Sequence, residues 1–499
     1  MDSIGMEDNT SQIRLSPVQR RRFLKSVGAT SGVLAMAGCF GEDDDLVENG
    51  DDANGDDGDD GTQEVVGDDE DVDTDDIDPD EWPDLEGQEV HILTQESSEP
   101  YQEYWQWLAA RFNQATGAYV RMEYTGFGVG LQERIAQLIQ GGDPPELSHL
   151  GHPGVATYGH LGLLADHTEA VEYWEDRWGE IPEGSRYLQD GVDQFLPILT
   201  NVHTLWYRDD VFDEVPDTWE KHLAMAEEND EGEGGIRGTA LMMSPEENTP
   251  QIGIYSAGWS NGVQFFDREG GDGEVIPVFH DDYLDETVET LEYYRELYQY
   301  SDDLLDLSGG DYIQLVGNER AYANAWVGSR PKFYGEDQEF GGDIRPCPFP
   351  TREEGNLTPW GHNQGYTAFE ESDTEAAMEF LKFWAEPENL IGGPHAGFYF
   401  ADPIHNAPVI EEIRDHELYQ EQLDQLPDYW NVPEDLNFDW IEYGTELPAE
   451  TEPPNEHVGL IYDSLEMTEL LRDVCVREED PEEACQNRAE NIRQIIESA

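Results

Sequence analysis

A chain of 499 residues with 113 Asp and Glu against 26 Lys and Arg, and a formal charge of −87, is long enough for two or three domain-sized units and too acidic to seek polyanions. That balance excludes nucleic acid and anionic headgroups as partners. At ordinary ionic strength such a surface repels itself. In multimolar salt the Debye length falls to about 3 Å or less and the acidic surface keeps the protein hydrated, so the composition points to a halophilic source.

Residues 19–39, QRRRFLKSVGATSGVLAMAGC, begin basic and run into a small, apolar segment too short to span a bilayer. The arginines ahead of Phe23 and Leu24 resemble a twin-arginine export signal. The run from Leu34 to Cys39 resembles a lipobox, which would make Cys39 the lipidated mature N-terminus and hold the protein on the outer face of the cytoplasmic membrane. Residues 40–84 are dominated by Asp, Glu and Gly and have no Lys or Arg, so they cannot bury enough apolar surface to offset the entropy of ordering. They read as a disordered acidic tether.

Beyond the tether, strand and helix patterns alternate. The apolar run 89–94 suits a buried strand, and 101–116 then puts Tyr101, Tyr104, Trp105, Leu108, Phe112 and Ala115 on one helical face. Strands over 119–124 and 146–150 enclose a helix over 131–140. Asp217 and Thr218 are candidate caps for a helix carrying Trp219, Leu223 and Ala226, a further helix covers 287–300, and Ser372 to Glu375 has the capping-box pattern ahead of another. Such alternation implies an α/β architecture with mostly parallel sheets. Cys475 and Cys485 flank a short acidic stretch between two helical patterns and are the candidate disulfide. Cys347, between two prolines, reads as a buried thiol, and Asn356 heads a sequon for a surface glycan.

Several stretches, taken in order, resemble the extracellular solute-binding proteins of ABC importers, in the sugar-binding family that includes maltose-binding protein. They are IAQLIQGGDPPEL at 135–147, with Glu146 where Asp is usual; GLLAD at 162–166; LWYRDDVF at 205–212 followed by PDTWE at 216–220, with Arg208 where Asn is common; GNERAY at 317–322; and the helical stretches 374–388 and 481–496. The resemblance implies a two-lobed α/β clamp of the periplasmic-binding-protein type II class, closing on a solute and delivering it to ABC permease subunits. It implies no catalysis, no cofactor and a monomer. The expected division is residues 85–200 plus 361–398 for the N-terminal lobe and 201–360 plus 399–499 for the other, with crossovers at 197–201, 360–363 and 399–405.

A sugar offers apolar C–H faces and a rim of hydroxyls, so its site calls for aromatic plates and planar hydrogen-bonding side chains. Trp259, Trp326, Trp360 and Tyr399 lie in glycine-bearing loops and are the candidate plates, while Trp105, Trp174, Trp178, Trp384, Trp430 and Trp440 read as core. Gln95, Glu96, His149, His152, Asn201, His362 and Asn363 are the candidate polar partners. Arg330 fits either an anionic group of the solute or an internal ion pair. The spacing of His149, His152, His160 and His167 does not make a metal site. The alternatives are a clamp of the same fold for a polyamine, metal or peptide, and a secreted glycoside hydrolase, whose paired carboxylates would be hidden among so many acids.

Overall fold

The computed structural model describes residues 62–63, 72–74 and 76–498, apart from 126–128, 190, 246, 272, 336–337, 354, 402–406, 431–433, 437 and 452–453. The export signal, Cys39, most of the tether and residues 402–405 of the expected third crossover lie outside the described residues.

The first lobe is built on strands β1 (Glu89–Thr94), β2 (Tyr119–Tyr124), β3 (Leu147–Gly151), β4 (Leu196–Thr200), β8 (Gln364–Thr367) and β9 (Ala407–Pro408). Strands β5 (His203–Arg208), β6 (Ala323–Val327) and β7 (Ile344–Pro348) intervene in sequence and belong to the second lobe. The first sheet runs β2-β1-β3-β8-β4-β9, with residues 62–63 added outside β2. β1 is parallel to β2 and β3, whereas β8 and β9 pair antiparallel. Five of the six β1 residues are buried, as befits a strand covered by helices on both faces. Helix α1 (Glu99–Thr116) follows β1 and buries all six residues of its predicted apolar face. It stops at Gly117, whose φ of +79° supplies the left-handed cap from which the backbone N–H reaches the Asn113 carbonyl at 2.7 Å.

Helices α2 (Val129–Gly141), α3 (His152–His160) and α4 (Thr168–Trp178) complete the first pass through this lobe. Helix α9 (Thr374–Trp384) returns to it after the second. Its cap is Asp373, accepting from the Ala376 N–H at 3.4 Å, rather than the box expected from Ser372. The interior is aromatic: Trp105 meets Trp384 at 4.9 Å and Phe398 at 5.7 Å. Each such pair adds about 0.5–1.5 kcal/mol beyond its buried area.

In the second lobe β6-β5-β7 form an antiparallel sheet, extended by parallel bridges from Arg237 to Ala321 and Ala240 to Asn324. Both sheets are therefore mixed, and the mostly parallel pattern expected from the alternation is confined to β1, β2 and β3. Helices α5 (Trp219–Asn229), α6 (Thr249–Ser260) and α7 (Leu284–Tyr298), the short α8 (Arg330–Phe333), and the C-terminal α11 (Val458–Asp463), α12 (Glu466–Cys475) and α13 (Pro481–Ser498) surround it. Thr218 caps α5 by accepting from the Lys221 N–H at 3.3 Å. Cys475 and Cys485 are free thiols in this lobe's core. The expected disulfide is not formed, because each cysteine is packed as a small apolar group between α12, α13 and their neighbours.

The chain passes between lobes where β4 gives way to β5, at Asn201 and Val202, and again at 360–362 before β8. A third passage lies at Thr445. The described residues of 399–436, expected in the second lobe, instead pack on the first. β9 pairs with β4, and Phe398, Tyr399, Val409, Tyr419, Trp430 and Leu436 all join the first lobe's core. This strap, which includes helix α10 (Glu417–Leu423), defers the crossover by some forty residues in sequence. The three passages lie side by side. Asn201 and His362 exchange backbone hydrogen bonds at 3.0 and 3.3 Å, and Gly361 N–H donates to the Thr445 carbonyl at 2.8 Å. Gly361 and Gly444 face each other so closely that a Cβ on Gly444 would stand 2.9 Å from the Gly361 Cα, and one on Gly361 3.0 Å from the Gly444 carbonyl carbon.

Candidate ligand-binding site between the lobes

The carboxyl ends of β1 and β3 open toward the second lobe, where ligands of open α/β sheets are held. β1 ends at Thr94, whose hydroxyl is 3.0 Å from the Tyr366 phenol and accepts from the Glu96 N–H at 3.2 Å. This fixes the turn that carries half-buried Gln95 and buried Glu96. His149 on β3 lies flat against Tyr366, ring centres 5.1 Å apart. Both ring nitrogens are buried, and only the Gln364 amide comes near them as a hydrogen-bond partner. Burial, reinforced by nearby His362, holds its pKa down at about 3. His362, brought to about 4 by burial, lies 2.6 Å from the Gln364 amide. The first lobe thus presents neutral imidazoles and an amide.

From the second lobe Arg330 reaches across to Glu96, Nη2 to Oε2 at 3.2 Å, with both side chains buried. The candidate cation therefore meets a carboxylate of the chain itself. Trp326 is half-buried; its ring tip and the Glu247 carboxylate both stand beside Gly309, and Glu247 accepts from the Gly309 N–H at 3.1 Å. Its indole nitrogen is buried without a partner, as is that of Trp360. Trp360, expected as a plate, is instead a fully buried core residue stacked between Trp259 (5.8 Å) and Tyr462 (5.5 Å). Tyr462 is the half-buried end of this column.

Other expected site residues serve the frame. Tyr399 is a core residue of the first lobe whose phenol donates to the Ile198 carbonyl at 3.1 Å. Trp259 is covered by Tyr255 and Trp360, and its indole N–H donates to Glu450 at 2.5 Å. It is therefore a core aromatic and not a plate. Asn201 belongs to the passage itself. His152 donates from Nε2 to the Ser185 carbonyl at 3.0 Å, which leaves Nδ1 as the lone-pair nitrogen, 3.5 Å from the Glu446 carboxyl. The other Glu446 oxygen accepts from the Asn363 N–H at 2.8 Å. Burial raises Glu446 to about 8 and lowers His152 to about 4, so both are neutral at pH 7 and Glu446 can donate its proton to Nδ1. His152, Asn363 and Glu446 tie the passages together.

Sequence reasoning passed over Glu247, Gln364, Glu446 and Tyr462. Gln364 follows Asn363 directly, and Gly444 ahead of Thr445 was the available cue for the third passage. Glu247 and Glu446 carry no signal that separates them from the other acids. Asn356 is exposed in a loop of the second lobe. Among the described residues no cluster of three or more His, Cys, Asp or Glu could hold a metal ion, and no helix is long and apolar enough to cross a membrane.

Similarity to known proteins agrees with this geometry. The maltose-bound MalE3 of T. maritima superposes with a TM-score of 0.66 at 16% identity, covering 82% of this chain and 99% of that one. A sugar transporter from Arthrobacter chlorophenolicus with bound laminaribiose gives 0.66 at 14% identity, covering 82% and 98%. An ABC transporter solute-binding protein from Agrobacterium radiobacter in complex with ribitol gives 0.60 at 17% identity, covering 83% and 100%. No curated protein matches in sequence. A family model described as bacterial extracellular solute-binding protein matches residues 96–391. That span, more than half of the chain, runs from Glu96 at the first lobe's rim through the second lobe's sheet to helix α9 and the residues just after it, and the chain belongs to the bacterial extracellular solute-binding protein family.

Proposed function

We propose that this protein captures a sugar or related polyol between its lobes without transforming it and hands it to an ABC permease. The observation that carries this reading is hydrogen-bonding capacity at the lobe boundary, at the partnerless indole N–H of half-buried Trp326 and at the His149 imidazole, which only the Gln364 amide approaches. A buried polar group without a partner costs about 1–3 kcal/mol, and a polyhydroxylated solute supplies donors and acceptors together with a C–H face for Trp326 or Tyr462. The sugars and ribitol named for the structurally similar proteins support the same class. The neutral imidazoles suit an uncharged solute better than a polyamine or peptide terminus.

A thermal-shift panel of sugars and polyols in high salt tests it. The right solute should raise Tm, equivalent to about 2.7 kcal/mol of stabilisation at a hundredfold excess over Kd, and be recovered unaltered. His149→Ala should weaken that shift. A solute recovered cleaved would favour a hydrolase, and shifts only from peptides, metals or polyamines would discard the solute class.

We further propose that Cys39 carries a lipid and that the acidic tether holds the clamp at the membrane, after export by the twin-arginine route. The warrant is the arginine cluster ahead of the Ala-Gly-Cys boundary. Cys39→Ser should release the protein from the membrane fraction or leave a longer precursor. Membrane-bound protein of mature size in that variant would remove the proposal.

A further inference from the structure

Helix α8 is four residues long, Arg-Pro-Lys-Phe, and carries two cations in a chain that has few. Both leave their own lobe. Arg330 meets Glu96, in the turn after β1, at 3.2 Å. Lys332 meets Asp435, on the strap that packs on the first lobe, at 3.2 Å. Side-chain exposures are 7% and 1% for the first pair and 0% for both members of the second. Asp435 precedes Leu436, a member of the first lobe's core, so it is fixed to that lobe. It also receives Arg345 of β7 at 3.4 Å, and Tyr429 of the strap holds its ring 5.7 Å from the Lys332 ammonium.

We propose that α8 is a two-point clasp that holds the lobes together before any solute arrives. Two arguments separate these pairs from ordinary surface ion pairs. The Lys332 ammonium is already held by carbonyls of its own lobe, Ile344 at 2.8 Å and Gly342 at 3.3 Å. Little side-chain freedom is therefore lost when Asp435 docks, which removes a main cost of forming such a contact. Burial also shields both pairs from salt, whereas exposed pairs are screened. In the multimolar salt that the acidic surface calls for, the clasp is the kind of electrostatic contact that persists. The inference rests on the two-lobed fold and not on the identity of the solute.

The test uses the ligand-free full chain in multimolar salt, with spin labels at Tyr119→Cys in the first lobe and Val215→Cys in the second, both exposed positions. The parent protein should give a single narrow distance. Asp435→Asn and Glu96→Gln should each lengthen and broaden it, and the double variant should do so further. Arg345→Gln, which removes a half-exposed partner of Asp435 and leaves the Lys332 contact in place, should broaden it less, and serves if the buried substitutions fail to fold. Removing the surface pair with Arg352→Gln should change nothing. A broad distribution in the parent, or a distance unchanged by Arg345→Gln and by each folded clasp variant, would overturn the proposal.

Discussion

At the scale of single residues, Glu446 shows how a boundary can turn a carboxylate into a neutral group. Its pKa rises from an ordinary 4.5 to about 8 because the side chain is buried among His152, Asn363 and Tyr462, which outweighs the hydrogen bonds from Asn363. Between those two values the folded protein holds a proton that the unfolded chain has released. The contribution is therefore complete below pH 4.5 and is lost as pH rises to about 8. Glu446→Gln keeps an oxygen for the Asn363 N–H and supplies an N–H to His152 Nδ1. Its Tm should fall less steeply between pH 5 and 8 than that of the parent, because one retained proton changes folding stability by about 1.4 kcal/mol for each pH step of one. Some slope should persist from Glu450, which burial raises to about 7. Identical Tm profiles for parent and variant would show that Glu446 is ionised in the fold.

At the scale of elements, the strands and helices over residues 89–150 were legible because period and burial agree, whereas α3, α4 and β4 were not read from the sequence. β1 is buried from Val90 to Thr94 and parallel to its neighbours, and α1 repeats its aromatic face at helical spacing, so local pattern and tertiary role coincide. The strap was not legible. Its residues alternate apolar and acidic without a dominant period, and what fixes it to the first lobe is the two-residue pairing of β9 with β4 and a few large side chains, none of which sequence reveals. The site was legible in part for the same reason. Glu96 follows β1, His149 and Trp326 lie on β3 and β6, and His362 stands just before β8, whereas Trp259, Trp360 and Tyr399, expected as plates in glycine-bearing loops, are packed in the cores, Trp259 on helix α6. The glycine pair at the passages offers a test. Gly444→Ala places a Cβ 2.9 Å from the Gly361 Cα, an overlap of backbone atoms that a rotamer change cannot relieve. It should cost about 1–3 kcal/mol, seen as a lower denaturation midpoint. Gly184→Ala, with nothing within 4 Å of the new Cβ, should leave the midpoint in place. Equal midpoints for the two variants would mean that the passages separate freely.

At the scale of the whole molecule, the charge of −87 is set against a cation inventory that is closely engaged. Among the described residues from 111 onward every Lys and Arg lies within 4.0 Å of a carboxylate, apart from Arg414, which lies over Phe438. With 26 cations for 113 acids, most carboxylates can be neutralised only by solvent ions. Lowering the salt lengthens the Debye screening distance from about 3 Å at 1 M to about 30 Å at 0.01 M, so acids on opposite sides of a lobe begin to repel. Opposing this, buried pairs such as Lys332 with Asp435 should gain nothing from added salt, and the aromatic cores strengthen only with salting-out anions. Surface repulsion is the term that changes most. Tm should therefore rise steeply as chloride salt goes from dilute to multimolar, and potassium and sodium chloride should act alike, since screening depends on ionic strength and not on a specific site. Circular dichroism melts across the two titrations decide it. A Tm indifferent to salt would show that the acidic surface carries no net repulsion in this fold, and a response to one cation alone would replace screening with specific ion binding.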